Sequence, residues 1–228
     1  VKNGEVKGVN VTVPFKKEII NFLDHLEGDA KPTQSVNTLH KIDNQVHGYN
    51  TDTEGFKKSL QENFIDYENK NIFILGAGGV TSSIIEALAG SVNKIYISNR
   101  TKEKAKELKK SRDSLTTLTG GEKNKIEVID WKEKPEGCDI VINTTSVSIT
   151  KSDNLDLDFR DYENKKNVLF YDLIYNPKET NFLKDAKLRG NKTMNGEMMF
   201  LWQAQIAFQM WTGISPVIGD EVIKLLDK

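Results

Sequence analysis

The stretch "NIFILGAGGVTSS", Asn71 to Ser83, sets an apolar run against a glycine-rich turn and then opens what reads as a helix. Glycine at 76 permits the tight turn that leaves a strand. Glycine at 78 lets the backbone approach a pyrophosphate at the helix N-terminus, where unsatisfied N–H groups and the helix dipole favour an anion. Thr81 stands where the dinucleotide fingerprint has glycine or alanine. A lone G-x-G-x-x-G pattern is weak, but a strand before it and a helix after it are the context that the mechanism demands. A plain strand-to-helix turn is the reading that the residues leave open beside it.

Outward from this stretch the rhythm is regular: a helix to about Ala89, "KIYIS", the helix "TKEKAKELKK", then "KIEVID", "DIVINTT" and "NVLFYDLI". Short apolar strands alternating with helices predict a doubly wound parallel sheet with helices on both faces. The polar segments "SLTTLTGGEKNK" and "SITKSDNLDLDF" are expected to be loops. Upstream, "VKGVNVTV" alternates as a strand, and "FKKEIINFLDHL" places Ile19, Ile20, Leu23 and Leu26 at helical spacing. "VNTLHKI" and "VHGYN" predict a hairpin before a helix at "TDTEGFKKSLQEN". From Gly196 the chain reads as helical, first "GEMMFLWQAQIAFQMWTG", then "SPVIGDEVIKLLD" with Ser215 as N-cap and Pro216 as the first helical residue.

Composition narrows the function classes. Lys and Arg number 32 against 33 Asp and Glu in 228 residues, so no global field points to nucleic acid or to an anionic membrane surface. Cys138 is the single cysteine, which excludes an internal disulfide and a cysteine-cluster metal site and suits a reducing cytoplasm. His25, His40 and His47 lack metal-ligand spacing and read as surface or strand-end residues, so no metal is expected. No apolar run is long enough to span a bilayer. The chain starts at Val1 without a methionine and enters a strand almost at once, so it is expected to lack its natural beginning.

The strand after the glycine turn bears on the choice of cofactor. An NAD site expects a carboxylate there for the ribose hydroxyls, whereas "IYISNRT" ends in Ser98, Asn99, Arg100 and Thr101. Asn99, Thr101 and the Arg100 guanidinium offer donors, and Lys104 follows one turn later, so two cations could clamp a 2′-phosphate. That favours NADP, although "RTKEKAK" also fits a solvated helix start. "DIVINTTSVSI" brings Asn143, Thr144, Thr145 and Ser146 to the carboxyl edge of the sheet, where ligands of doubly wound folds sit; a hydrogen-bonded loop without a ligand fits equally. In "NVTVPFK", Asn10 to Lys16, a lysine follows an apolar β-branched run and a proline. A solvated first-turn residue is its ordinary reading.

Together "NVTVPFK", "VNTL", "YNTDTEGF", "ILGAGGV", "SNRT", "INTTS", "YDLIYNPKET" and "NGEMMFLWQAQIAF" resemble the shikimate dehydrogenase family, in its order and at its spacing over nearly the whole chain. The resemblance implies reversible reduction of 3-dehydroshikimate to shikimate by NADPH, in chorismate and aromatic amino-acid biosynthesis, by a cytoplasmic monomer or homodimer. It implies Lys16 as the acid/base residue, paired with Asp52, and substrate contacts from Thr12, Asn37, Asp52, Tyr175 and Gln203. Cofactor positions fall on Gly76, Ala77, Gly78, Gly79 and Val80, on Asn99, Arg100, Thr101 and Lys104, and on Leu173 and Gly196, with Asn143 and Thr144 at the sheet edge. The Lys16 block and the Gln203 helix flank the Rossmann-like segment yet must meet at one substrate. A substrate domain from 1–51 and 196–228 around an NADP domain of 52–195 is therefore expected.

Three departures from the family pattern stand out. Nothing matches its N-terminal serine loop, roughly "HSxSP", which grips the substrate carboxylate. Met198 replaces a small glycine, and Lys104 replaces an arginine of the cofactor clamp, keeping the charge but losing the bidentate fork. Adding hydride to a carbonyl creates an alkoxide, so the site needs a donor beside that oxygen, which the ammonium of Lys16 can be. Asn37, Asp52 and Gln203 supply donors and acceptors suited to a polyol. Other readings are a paralogue acting on quinate or another polyol acid, a catalytically silent NADP-binding regulatory module and, more distantly, a methyltransferase.

Overall fold

The amino-terminal residues build a small sheet around one apolar face. In the computed structural model, which describes residues 1–119, 125–147, 154–162 and 168–226, strand β1 (Gly8–Asn10) leads to a 3-10 turn at Glu18–Phe22. Then follow β2 (His25–Leu26), the short helix α1 (Ala30–Thr33), β3 (Thr38–Ile42), β4 (Gln45–Tyr49) and helix α2 (Asp52–Glu62). The strand order is β1-β3-β4-β2, with β2 parallel to β4 and the other pairs antiparallel. Asp43 and Asn44, at φ +47° and +68°, close the predicted β3–β4 hairpin as a two-residue turn that matches strand twist.

The helix expected over "FKKEIINFLDHL" is not formed. Its apolar residues Ile19, Ile20, Leu23 and Leu26 do reach the core, packing on Ala30, Val36, Leu39 and Val46, but from a 3-10 turn and a strand. Leu23 is extended, and Asp24 is tied to Val46 twice, its N–H donating to the Val46 carbonyl (3.0 Å) and its carboxylate accepting from the Val46 N–H (2.7 Å). Pairing with β4 thus overrides helical spacing. The opposite face carries a row of histidines, because His40 and His25 are both register partners of His47. His47 Nδ1 lies 3.0 Å from a Glu27 oxygen, and burial lowers the pKa of His40.

The predicted parallel sheet is present. Strands β5 (Asn71–Leu75), β6 (Lys94–Ser98), β7 (Ile126–Ile129), β8 (Ile140–Asn143), β9 (Leu169–Asp172) and β10 (Lys192–Met194) alternate with α3 (Gly79–Leu88), α4 (Lys102–Thr119) and α5 (Asn181–Leu188). Their order, β10-β9-β8-β5-β6-β7, reverses direction between β5 and β8 and makes a crevice at the carboxyl ends of those two strands. Strand β10 and helices α1 and α5 were not foreseen. Helix α4 runs into the segment expected to be a loop, and Thr116 and Thr117 satisfy their hydroxyls on the carbonyls of Arg112 and Asp113. Residues 120–124 and 148–153, from the two expected loops, lie outside the described residues.

Helix α6 (Glu197–Thr212) matches the expected carboxyl-terminal helix, and Trp211 donates its indole N–H to the Leu39 carbonyl. The last helix, α7 (Asp220–Leu225), starts four residues later than the sequence suggests. Ser215 and Pro216 stay outside it: Gln205 holds the Pro216 carbonyl at 2.6 Å, and extended Gly219, a poor helix former, sits at the N-cap. Two compact units result, one of Val1–Ile65, Ser82–Ala87 and Met198–Lys228, the other of Asp66–Thr81 and Leu88–Glu197. Helix α2 belongs to the first of these, beyond the boundary that the sequence suggests at Asp52. No helix among the described residues is long and apolar enough to cross a membrane.

In the second unit Phe170 is fully buried, its ring 5.3 Å from those of Phe159 and Phe182 and 6.0 Å from that of Tyr162. Phe170→Ala should leave a cavity among these rings and lower stability by about 3–5 kcal/mol in chemical denaturation. A loss below ~1 kcal/mol would mean that the rings can close over the gap.

Candidate active site

In the first unit, the hairpin and the start of α2 bring four of the sequence-nominated residues into one hydrogen-bonded cluster. Lys16 Nζ lies 2.7 Å from Asp52 Oδ2, with 12% and 7% of the two side chains exposed. The Lys16 carbonyl accepts from the Val36 N–H at 2.8 Å, so its backbone is fixed beside β3. Asn37 Nδ2 donates to Asp52 Oδ1 (2.9 Å) and to Gln203 Oε1 (3.3 Å), and Asn37 Oδ1 accepts from the Thr51 N–H (2.8 Å). Gln203 comes this close because α6 crosses α2 at Gly55, where a Cβ would lie 2.9 Å from Gln203 N and Cβ. Thr12 is exposed in the turn before Lys16, where its carbonyl accepts from the Phe15 N–H.

The first turn of α2 has no side-chain cap from Thr51. Asn50 supplies it instead: its Oδ1 accepts from the Asp52 N–H (3.0 Å), and its Nδ2 reaches Ser83 Oγ (2.8 Å) and the Ser35 carbonyl (2.9 Å). Asn50 thereby orients Asp52, a role that sequence reasoning missed although "YNTD" places an asparagine two residues before the aspartate.

In the second unit, the glycine turn leaves β5 at the crevice. Gly76 has φ +114°, and a Cβ there would fall 2.4 Å from Thr144 Oγ1, so both conformation and space require glycine. A Cβ on Gly78 would meet nothing within 4 Å, which leaves that backbone open to a ligand. Thr81 is buried, its Oγ1 accepting from the Gly78 N–H (3.1 Å) and lying 2.8 Å from Thr144 Oγ1. Ala77, Gly79 and Val80 are partly exposed along this turn. After β6, Arg100, Thr101 and Lys104 are exposed, and Asn99 Nδ2 holds the Thr101 carbonyl at 2.7 Å. Lys102, which the sequence reading left out, is paired with Asp130 at 2.5 Å.

The carboxyl edge of β8, β9 and β10 carries the remaining nominated residues. Leu173 and Tyr175 are partly buried after β9, and the Gly196 N–H donates to the Ile174 carbonyl at 3.0 Å. Asn143, a nominated cofactor position, ends β8. It is fully buried, its Nδ2 donates to Asp172 Oδ1 (3.0 Å), and its Oδ1 accepts from the N–H and hydroxyl of Thr145. Its polar ends are committed inward. Asp172, unnoticed in the sequence, is fully buried, and burial pushes its carboxyl up to about 6 against the pull of the Thr180 hydroxyl, the Ile174 N–H and Asn143. By contrast, the buried Cys138 thiol is pushed up to about 12 by burial, which keeps it inert. Among the described residues no group of His, Cys, Asp and Glu is arranged to hold a metal ion.

Comparison with known proteins locates the chain. The family described as "Shikimate dehydrogenase substrate binding domain" matches residues 1–39, and that described as "Shikimate / quinate 5-dehydrogenase" matches residues 58–185. The chain is 47% identical to the shikimate dehydrogenase (NADP(+)) of Pelagibacter ubique over 228 residues, 100% of this chain and 81% of that protein. A crystal structure of shikimate dehydrogenase in complex with NADP+ superposes with a TM-score of 0.83 at 37% identity, covering 99% of this chain and 77% of that one. The Thermus thermophilus enzyme in complex with NADP(H) and shikimate gives 0.79 at 27% identity, covering 98% and 78%.

The raised Asp172 carboxyl has a consequence for stability. The folded chain keeps this proton to a higher pH than the unfolded chain does, so the stabilisation is complete below the ordinary value of 3.8 and is lost as pH rises through about 6. Asp172→Asn removes that dependence. Relative to the variant, the wild type should lose about 3 kcal/mol between about pH 3.5 and pH 7. Denaturation curves of the two proteins that keep a constant separation over this range would show that Asp172 titrates like an exposed acid.

Proposed function

The chain belongs to the shikimate dehydrogenase family, and on that premise we propose that it reduces 3-dehydroshikimate reversibly to shikimate with NADPH, using Lys16 and Asp52 as its catalytic pair. The observation that carries this reading is the Lys16–Asp52 pair at 2.7 Å, joined through Asn37 to Gln203. NADPH, when bound, supplies the hydride that reaches the carbonyl carbon. The chain's residues do the rest. As the carbonyl oxygen becomes an alkoxide, the ammonium of Lys16 stabilises the charge and gives up a proton, leaving a neutral amine, a hydroxyl on the product and NADP+. Asp52 holds the ammonium in place, and Asn37 holds Asp52. In the reverse direction the amine takes the proton back.

Thr12, Asn37, Asp52 and Gln203 of the first unit are the proposed contacts for the hydroxyls and carboxylate of the substrate. The first unit serves as the substrate domain and the second as the NADP domain. The glycine turn fits the pyrophosphate, since Gly76 leaves no room for a side chain and Gly78 opens outward. Exposed Arg100 and Lys104, with Asn99 and Thr101, suit a 2′-phosphate, and Leu173 and Gly196 are the proposed contacts at the cofactor's other end. A cytoplasmic monomer or homodimer that binds neither nucleic acid nor membrane fits the even charge balance. The direct assay follows NADPH absorbance with shikimate and NADP+, with quinate and NAD+ as the competing pair. Turnover restricted to quinate would move the chain to the paralogous activity, and none with any pair would leave a silent module.

Lys16→Ala should cut turnover by about 10²–10⁴-fold with little change in the Michaelis constants, the range of a positioned proton donor. If only the constant for shikimate rises while turnover at saturation is kept, Lys16 binds substrate and water supplies the proton. Arg100→Ala should weaken NADP by roughly ten- to a hundredfold and leave NAD almost unchanged, as expected for one hydrogen bond between charged groups. Equal losses for both cofactors would assign Arg100 to adenine stacking or to the fold.

A further inference from the structure

Three segments leave the carboxyl ends of β8, β9 and β10, and one buried carboxylate reaches the first two directly and the third through a single peptide. Asp172 Oδ1 accepts from Asn143 Nδ2 (3.0 Å) and from the Ile174 N–H (3.1 Å), and its Oδ2 accepts from the Thr180 hydroxyl (2.6 Å). Thr180 in turn caps α5 by accepting from the Leu183 N–H. Asn143 passes the order on, because its Oδ1 holds both the N–H (3.0 Å) and the hydroxyl (2.8 Å) of Thr145, whose Oγ1 accepts from the Val147 N–H (3.2 Å). Ile174, placed by Asp172, accepts the Gly196 N–H at 3.0 Å. Both oxygens of Asp172 are used, and it meets no solvent.

We infer that Asp172 is a positioning residue for the half of the cofactor edge formed by β8, β9 and β10: acting through Asn143 and Ile174, it sets the backbones that carry Thr144, Leu173 and Gly196. The inference rests on the functional reading above. Each half of a doubly wound sheet receives one mononucleotide, so this half faces the nicotinamide nucleotide, while β5, β6 and β7 face the adenosine. The effect of Asp172 is therefore confined to one end of the ligand. A neutral amide can replace it in part, since the oxygen of an asparagine at 172 still accepts from Asn143 and Ile174 and its NH2 can donate to the Thr180 hydroxyl. Alanine leaves the buried Asn143 amide with only its long contact to the Val147 carbonyl (3.5 Å), and the loop must move to restore a full hydrogen bond.

The test measures two dissociation constants for each protein, one for NADP+ and one for 2′-phosphoadenosine 5′-phosphate, a fragment that spans the adenosine half alone. Asp172→Ala should weaken NADP+ by roughly ten- to a hundredfold and the fragment by less than about twofold, the loss of one buried charged hydrogen-bond acceptor. Asp172→Asn should recover NADP+ binding to within a few-fold of the wild type. Should Asp172→Ala not fold, Asn143→Leu breaks the same link with Thr180 and Ile174 left in place, and it should show the same split. Equal losses for NADP+ and the fragment, or unchanged NADP+ affinity in the folded variants, overturn the inference. A wild type that binds neither ligand overturns the functional reading as well, whereas a wild type that binds both while the variants match it overturns the inference alone.

Discussion

An ammonium and a carboxylate 2.7 Å apart, with 12% and 7% of their side chains exposed, have given up most of their hydration. Mutual attraction offsets that loss only when their remaining lone pairs and N–H groups are satisfied. Much of the first unit follows from this requirement. The second oxygen of Asp52 needs a donor, which is Asn37; the carbonyl of Asn37 needs donors, which Thr51 provides. Residues 37 and 51 must therefore sit side by side, and the β3–β4 register, with Thr38 opposite Tyr49 and the Asn37 N–H on the Tyr49 carbonyl, puts them there. A slip of one residue in that hairpin would turn the strand's side chains to the other face and leave the pair unsupported.

In the second unit the buried Asp172 carboxylate is held by neutral donors. Three neutral donors, the Thr180 hydroxyl, the Ile174 N–H and the Asn143 amide, do not offset the loss of water around Asp172, so burial prevails and raises its carboxyl to about 6. Cys138 is raised by the same physics at the opposite end of β8, just before the strand, where it has no ligand edge to organise. Position on the sheet, more than the shift itself, separates a residue that can order a site from one that only fills the core. The crevice between β5 and β8 imposes its own limit: Thr144 approaches Gly76 so closely that the turn is fixed from behind by β8 as well as by its own glycines.

The parallel sheet was legible because each strand is a compact apolar run between turn residues, and strands buried on both faces need no alternation to be recognised. What failed in the sequence were segments whose structure comes from a distant partner. Leu23 to Leu26 have helical spacing but pair with β4, a contact set by Asp24 and Val46 that periodicity cannot register. Lys192–Met194 is too short and polar to read as a strand, and exists because β9 offers it an edge. In the site, the exposed or polar members of the family motifs were legible, whereas Asp172 and Asn50 were not. Both act through hydrogen bonds to backbone N–H groups and amides across the fold, and a buried aspartate at a strand end looks the same in a sequence as a solvated one.

The cluster around Lys16 also contains its own point of exchange. The Asn37 amide has two hydrogens but three acceptors in reach: Thr51 Oγ1 and Asp52 Oδ1, each at 2.9 Å, and Gln203 Oε1 at 3.3 Å. The Gln203 contact is the longest of the three, and Gln203 is anchored independently through its Nε2 on the Phe200 carbonyl at 2.9 Å. Breaking it therefore leaves Asn37 still satisfied by Thr51 and Asp52, and frees one acceptor on a side chain that keeps its place. For the proposed reaction this is the contact that a substrate hydroxyl can take over at least cost, since neither the Lys16–Asp52 pair nor the Asn37–Asp52 bond has to open. In the proposed reaction, the pair assigned to the proton and the residue assigned to the polyol are thus neighbours in one network, and only the second would have to change partners on binding substrate.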